Sequence, residues 1–83
     1  MKLYFYTKKG CSLCDKGLGI LREFQHKYQF EIEARDIYTD DEWLLTYQIR
    51  IPVIEDMDGV VLDEGIISYP KLELELKERV THH

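Results

Sequence analysis

The chain opens on a short run, Leu3 to Tyr6, in which both alternating sets are apolar: Leu3 and Phe5 on one, Tyr4 and Tyr6 on the other. A segment apolar on both sides suits a central strand covered on both faces, spanning Lys2 to Thr7 and closed by Lys8, Lys9 and Gly10. From Ser12 the spacing lengthens. Leu13, Leu18, Ile20, Leu21, Phe24 and Tyr28 recur near a helical period, with Lys16, Arg22, Glu23 and Lys27 between them. Gly17 and Gly19 each weaken that helix by about 1 kcal/mol relative to alanine, so close approach to a sheet is the expected reason for them. Phe30, Ile32 and Ala34 then alternate with Glu31, Glu33 and Arg35, the period of a strand with one wetter face at or near a sheet edge.

Thr39, with Glu42 three residues on, matches a capping box for a second helix carrying Trp43, Leu44 and Tyr47. Arg50-Ile51-Pro52 stops it, because the residue before proline disfavours helical geometry, and Val53 and Ile54 read as a third strand. Asp58-Gly59 signals a hairpin, with Val60, Val61 and Leu62 returning. Ser68 caps a last helix with Pro70 in its first turn and Leu72, Leu76 and Val80 on one face; the alternation Leu72 to Leu76 also permits a strand. The order is strand, helix, strand, helix, strand, strand, helix. A helical crossover makes the first two strands parallel, and the last two form an antiparallel hairpin. The expected fold is therefore α/β, a four-stranded mixed sheet with helices on both faces.

Composition narrows the function classes. Eighty-three residues make one small domain, 1–83, and 45% hydrophobic content is too high for disorder. No apolar run approaches the roughly 18 residues needed to cross a bilayer, so no membrane span is expected. Eleven basic against sixteen acidic residues leave a net charge of −5, which argues against nonspecific nucleic-acid binding. The N-terminal residues have no signal-peptide pattern, and a cytoplasmic location is expected. Two cysteines are too few to staple a miniprotein, so their value is chemical.

Those cysteines are Cys11-Ser12-Leu13-Cys14, a C-x-x-C directly after a strand and at the start of a helix. Three residues apart, their sulfurs share a helical face and can form a disulfide with modest backbone movement. The helix N-terminus and the preceding Lys8 and Lys9 favour thiolate at Cys11, the expected nucleophile; Cys14, one turn inside, is the expected resolving thiol. Two other readings stand beside this one: a pair of buried small hydrophobes, or half of a metal site. No second cysteine pair or His-x-x-x-His completes a site within the chain. His26 lies in the first helix and His82-His83 at the terminus, so no metal is expected within one chain, while a metal shared between two chains stays open.

Tyr6 to Asp15, followed by Arg50-Ile51-Pro52-Val53, resembles the glutaredoxin-like branch of the thioredoxin superfamily, over nearly the whole chain. The resemblance implies a thioredoxin fold and a thiol–disulfide oxidoreductase. It implies that the Ile51-Pro52 bond is cis and faces the C-x-x-C, and that Ile51 offers backbone hydrogen bonds to the substrate's chain. Lys8, Ile51 and Pro52 match the family's substrate-binding positions. No bound cofactor is implied, only an external thiol reductant, glutathione or a thioredoxin-type system. The partner would be a disulfide-containing protein or small molecule, and the chain a monomer. The glycine pair and aspartate with which the family holds a carboxylate have no counterpart in Leu62 to Ile66, where Asp63 and Glu64 would repel one. The alternative is a non-catalytic binding or redox-sensor module on the same fold, holding metal through the cysteine pair at a chain–chain contact.

Tyr38, Trp43 and Tyr47 are expected to pack the core, as is Tyr6 with its hydroxyl satisfied. Asp15 would stabilise the helix start. Glu73, Glu75 and Glu78 read as a solvated face.

Overall fold

The computed structural model describes residues 1–81, with side chains through Arg79. The side chain of Val80, expected on the last buried stripe, and His82 and His83 lie outside the described residues. The elements are β1 (Lys2–Thr7), α1 (Ser12–Tyr28), β2 (Glu31–Asp36), a 3-10 turn (Ile37–Thr39), α2 (Asp41–Tyr47), β3 (Val53–Glu55), β4 (Val61–Glu64) and α3 (Tyr69–Thr81). The expected element order is met. The sheet runs β2-β1-β3-β4, with β1 parallel to β2 and antiparallel to β3, and β3 antiparallel to β4.

β1 is central because its residues are apolar on both sides. Leu3 and Phe5, fully buried, join Leu21 and Phe24 of α1, Ile54 and Leu62 of the hairpin, and Leu72 and Leu76 of α3 in one core. Tyr6 turns to the other face, where it packs with Ile37, Tyr47 and Val53, flanked by the half-buried Tyr4, Trp43 and Leu44. The helix reading of 72–76 holds over the strand alternative, since Leu72 and Leu76 are buried while Leu74 is exposed. β2 is the sheet edge, as its alternation suggests, although Ala34 is exposed.

Several local expectations are corrected. The N-cap of α2 is Asp40, whose Oδ1 accepts from the N–H of Glu42 and Trp43 at 2.9 and 3.3 Å. Thr39 belongs to the preceding 3-10 turn and donates its hydroxyl to Asp36 O at 2.6 Å. The carboxylate is the better acceptor for two N–H groups at a helix start, which moves the cap one residue onward. Tyr38 is exposed rather than packed, while Trp43 is half-buried and Tyr47 buried. Glu73 and Glu75 are half-buried in ion pairs with Lys27 and Arg79, and of the three glutamates only Glu78 is exposed. Ser68 does precede α3 as expected, accepting from the Lys71 N–H on its hydroxyl and from the Leu72 N–H on its carbonyl.

The β1–β3 register pairs Tyr6 with Val53, so Pro52 falls alongside the end of β1, from which the chain turns into the cysteine segment. The β3–β4 register pairs Val53 with Glu64, bringing the end of β4 to the same edge. Antiparallel pairing thus gathers three separate segments, 8–14, 50–52 and 63–67, at one end of the sheet.

Candidate active site

The turn from β1 into α1 is made by Gly10, whose φ of +72° is a region that side chains disfavour. It delivers Cys11 as the N-cap of α1 in extended geometry. The Cys11 Sγ accepts the N–H of Cys14 at 3.2 Å, and the Asp15 N–H donates to Cys11 O at 3.0 Å. A cysteine sulfur thus occupies the capping position of a serine or aspartate oxygen, where N–H groups at a helix start favour negative charge. Both cysteines are free thiols. They differ in access: Cys11 is partly exposed, whereas Cys14 is 1% exposed and belongs to the main core. Burial pushes the Cys14 thiol up from its ordinary pKa, and the neighbouring Cys11 sulfur adds to this; the Thr7 hydroxyl and the Lys8 main chain pull the other way and lose.

Pro52 lies across from this helix. The Ile51-Pro52 bond is cis, as the resemblance implies. A Cβ placed on Gly17 would stand 3.3 Å from Pro52 Cγ and 2.7 Å from Ile67 Cγ1, so the lack of a side chain at Gly17 lets α1 lie on the turn. Close approach therefore accounts for one helix glycine but not the other, because Gly19 is exposed with nothing within 4 Å of its Cβ position.

The expected substrate positions divide. Pro52 is fully buried beneath Gly17 and Ile67, and Ile51, half-buried, is the turn residue that reaches the surface. The Ile51 N–H is donated to Tyr47 O at 3.1 Å, and the Arg50 N–H to the same oxygen at 2.8 Å. One of the two main-chain groups expected to meet a substrate is thus already used within the turn. Lys8 is half-buried, and its main chain lies by Cys14. Asp63 and Glu64 also differ from expectation. Asp63 is 5% exposed and accepts from the N–H groups of Glu64 and Ser68 at 2.9 and 2.7 Å, tying β4 to the start of α3. Glu64 takes two bonds from the Arg50 guanidinium, at 2.9 and 3.2 Å, which hold its carboxyl below the usual range. Neither presents an uncompensated negative charge.

Sequence patterning missed the polar network behind the turn. Tyr47 donates its hydroxyl to Glu55 Oε2 at 2.6 Å, and Glu55 is 7% exposed. The Tyr47 ring stacks on Tyr6 with centroids 4.0 Å apart. The Tyr6 hydroxyl accepts from Arg35 Nη1 at 2.9 Å, and the Arg35 guanidinium lies 3.6 Å over the Tyr4 ring and is also hydrogen-bonded to Glu33. The sequence signal that leads here is a glutamate at the end of an apolar strand, since it needs a donor once buried. Thr7, beside the Cys14 thiol, was likewise unmarked. Among the described residues, no three His, Cys, Asp or Glu side chains cluster so as to hold a metal ion. Among the same described residues, no helix is long and apolar enough to cross a membrane.

This frame, a mixed four-stranded sheet flanked by three helices with a C-x-x-C at the first helix start opposite a cis-proline turn, is the thioredoxin fold. The model of the glutaredoxin-like domain family (DUF836) matches residues 2–80, and the chain belongs to that family. Among solved structures, the X. campestris protein XcR50 is 26% identical with a TM-score of 0.75, over 92% of this chain and 96% of that one. Protein Ne2328 from Nitrosomonas europaea is 27% identical with a TM-score of 0.76, over 89% and 88%. Thioredoxin 1 from Thermosipho africanus TCF52B, 16% identical with a TM-score of 0.65 over 99% and 96%, shares the fold. No curated protein matches the sequence.

Proposed function

We propose that the protein is a thiol–disulfide oxidoreductase working through a reversible Cys11–Cys14 disulfide. The observation that carries this reading is the asymmetry of the pair: one sulfur partly exposed at a helix N-cap, the other buried directly behind it and joined to it through the Cys14 N–H at 3.2 Å. Cys11, as thiolate, attacks one sulfur of a substrate disulfide. The Cys11–substrate bond forms, the substrate S–S bond breaks, and the other substrate sulfur leaves as thiolate and takes a proton from water. Cys14 then loses its proton and attacks Cys11 Sγ, closing the internal disulfide and expelling the second substrate thiol. Two electrons pass to the substrate. An external thiol, glutathione or a thioredoxin-type donor, resets the pair by the reverse exchange.

Burial suits Cys14 to the second step, because it cannot reach a bulky disulfide but can reach Cys11. The reading assigns substrate contacts to Lys8, whose main chain lies by Cys14, and to the Ile51–Pro52 turn as the wall on which substrate docks, with the Ile51 N–H already given to Tyr47 O. The substrate is a protein or small-molecule disulfide, and the cytoplasm is the compartment in which a reducing dithiol would be kept reset.

The test is trapping with single-cysteine variants. Cys11→Ser is expected to lose all exchange with a peptide disulfide, while Cys14→Ser accumulates a mixed disulfide on Cys11, visible by intact mass. Equal activity in the two variants would overturn the assigned roles, and stoichiometric metal released by changing either cysteine would favour the binding-module reading.

A further inference from the structure

Tyr47 ends α2 and is bonded to the chain on both sides of Pro52. Its carbonyl accepts the N–H groups of both Arg50 and Ile51. Its ring is stacked on Tyr6 of β1 on one side and lies 5.3 Å from the Arg50 guanidinium. Its hydroxyl is bonded to Glu55 on β3, a strand that begins directly after Pro52. The turn is thus fixed to the sheet at both ends by one residue, through its main chain on the near side and its side chain on the far side. Glu55 supplies the second, independent part of this arrangement. A carboxylate 7% exposed needs a donor, and Tyr47 is the donor it has; in return the strand fixes the ring. On the opposite side the turn has no slack, because Pro52 already touches the space left by Gly17, one turn beyond Cys14.

We infer that Tyr47 is a positioning residue for disulfide exchange, holding the Ile51–Pro52 turn at the distance from Cys11 that an incoming peptide disulfide requires. The inference rests on the oxidoreductase reading and on the turn as the wall against which substrate docks. Tyr47 touches neither sulfur, and its effect passes through the turn. Misplacing such a wall by a fraction of an ångström lowers the rate of docking-dependent chemistry while leaving the intrinsic reactivity of the thiol alone.

The test measures two reactions of Cys11 in a Cys14→Ser background of the full chain: capture of a peptide disulfide, which needs the turn, and alkylation by iodoacetamide, which does not. Tyr47→Phe is expected to slow capture on the order of tenfold with alkylation unchanged. Because this change also leaves Glu55 buried without its donor, Tyr47→Phe/Glu55→Leu is measured beside it. The double variant should regain thermal stability while capture stays slow. Wild-type capture in Tyr47→Phe, parallel changes in capture and alkylation, or capture restored together with stability in the double variant would each overturn the inference. Absence of capture when Tyr47 is intact would instead overturn the oxidoreductase reading.

Discussion

The face of the sheet under α1 and α3 is packed by aliphatic and phenyl side chains, from Leu3 and Phe5 to Leu72 and Leu76, with Cys14 among them. The face under α2 sets tyrosines, a half-buried tryptophan and a carboxylate around the buried Ile37 and Val53, and its polar atoms are matched to one another: Arg35 to Tyr6, and Tyr47 to Glu55. The first face encloses the Cys14 sulfur, and the second carries the turn that leads into β3. Burying apolar area is non-directional and tolerates small shifts, whereas a hydrogen-bonded network fixes orientation. The difference matches what each side of the site has to do. In the proposed exchange reaction, a buried thiol needs exclusion of water and a docking turn needs a defined position.

The largest test of this contrast is Phe24→Ala, which deletes a fully buried ring from the first face and is expected to cost about 3–5 kcal/mol. Trp43→Ala on the second face, where the ring is only half-buried, should cost clearly less in the same urea titration. Equal losses would erase the distinction between the faces. The two helix glycines give a smaller and sharper comparison. Gly19→Ala meets nothing and should stabilise by up to about 1 kcal/mol through helix propensity. Gly17→Ala gains the same propensity but forces a methyl against Ile67 and Pro52, an overpacking cost of about 1–3 kcal/mol, so its net effect should be a loss. A stabilised Gly17→Ala protein would show that α1 can move away from the turn.

Most of the frame is legible in the sequence because each element has a distinct period, and the doubly apolar Leu3–Tyr6 run alone places β1 at the centre. The C-x-x-C is legible for the same reason, standing where period two gives way to period 3.6. The Tyr47–Glu55 bond and the Arg50–Glu64 pair are not, since each joins residues on separate elements and depends on the β1–β3 and β3–β4 registers. Pattern also read Asp63 and Glu64 as repelling a carboxylate, because it cannot see an inward-facing carboxylate or a guanidinium waiting fourteen residues away. The cap of α2 slipped by one residue because Thr39 and Asp40 are both good caps and only the 3-10 turn before them decides.

The smallest expected effect is on acid stability. Arg50 holds the Glu64 carboxyl below its usual pKa. For Asp56, burial works upward, but the N–H groups of Val60 and Asp58 and the Arg79 guanidinium outweigh it, so its pKa is lowered too. A carboxyl depressed in the folded state stabilises fully above its unfolded pKa of about 4 and loses that contribution as pH falls through the folded value. Stability by urea titration should therefore fall as pH drops below about 4, and Asp56→Asn should reduce the fall. The Glu64 share, from a pair open to solvent, should be no more than about 1 kcal/mol. An Asp56→Asn curve parallel to the native one would remove Asp56 from the account.

The central claim is that Cys11 and Cys14 form a reversible redox pair, and the most direct test is their equilibrium in defined glutathione buffers, read by thiol trapping and intact mass with a metal assay on the same sample. The account predicts one two-electron transition between thiols and the internal disulfide within roughly −120 to −270 mV, the span of catalytic dithiols. Thiols that never pair across that range, or that are masked by bound metal, would contradict it.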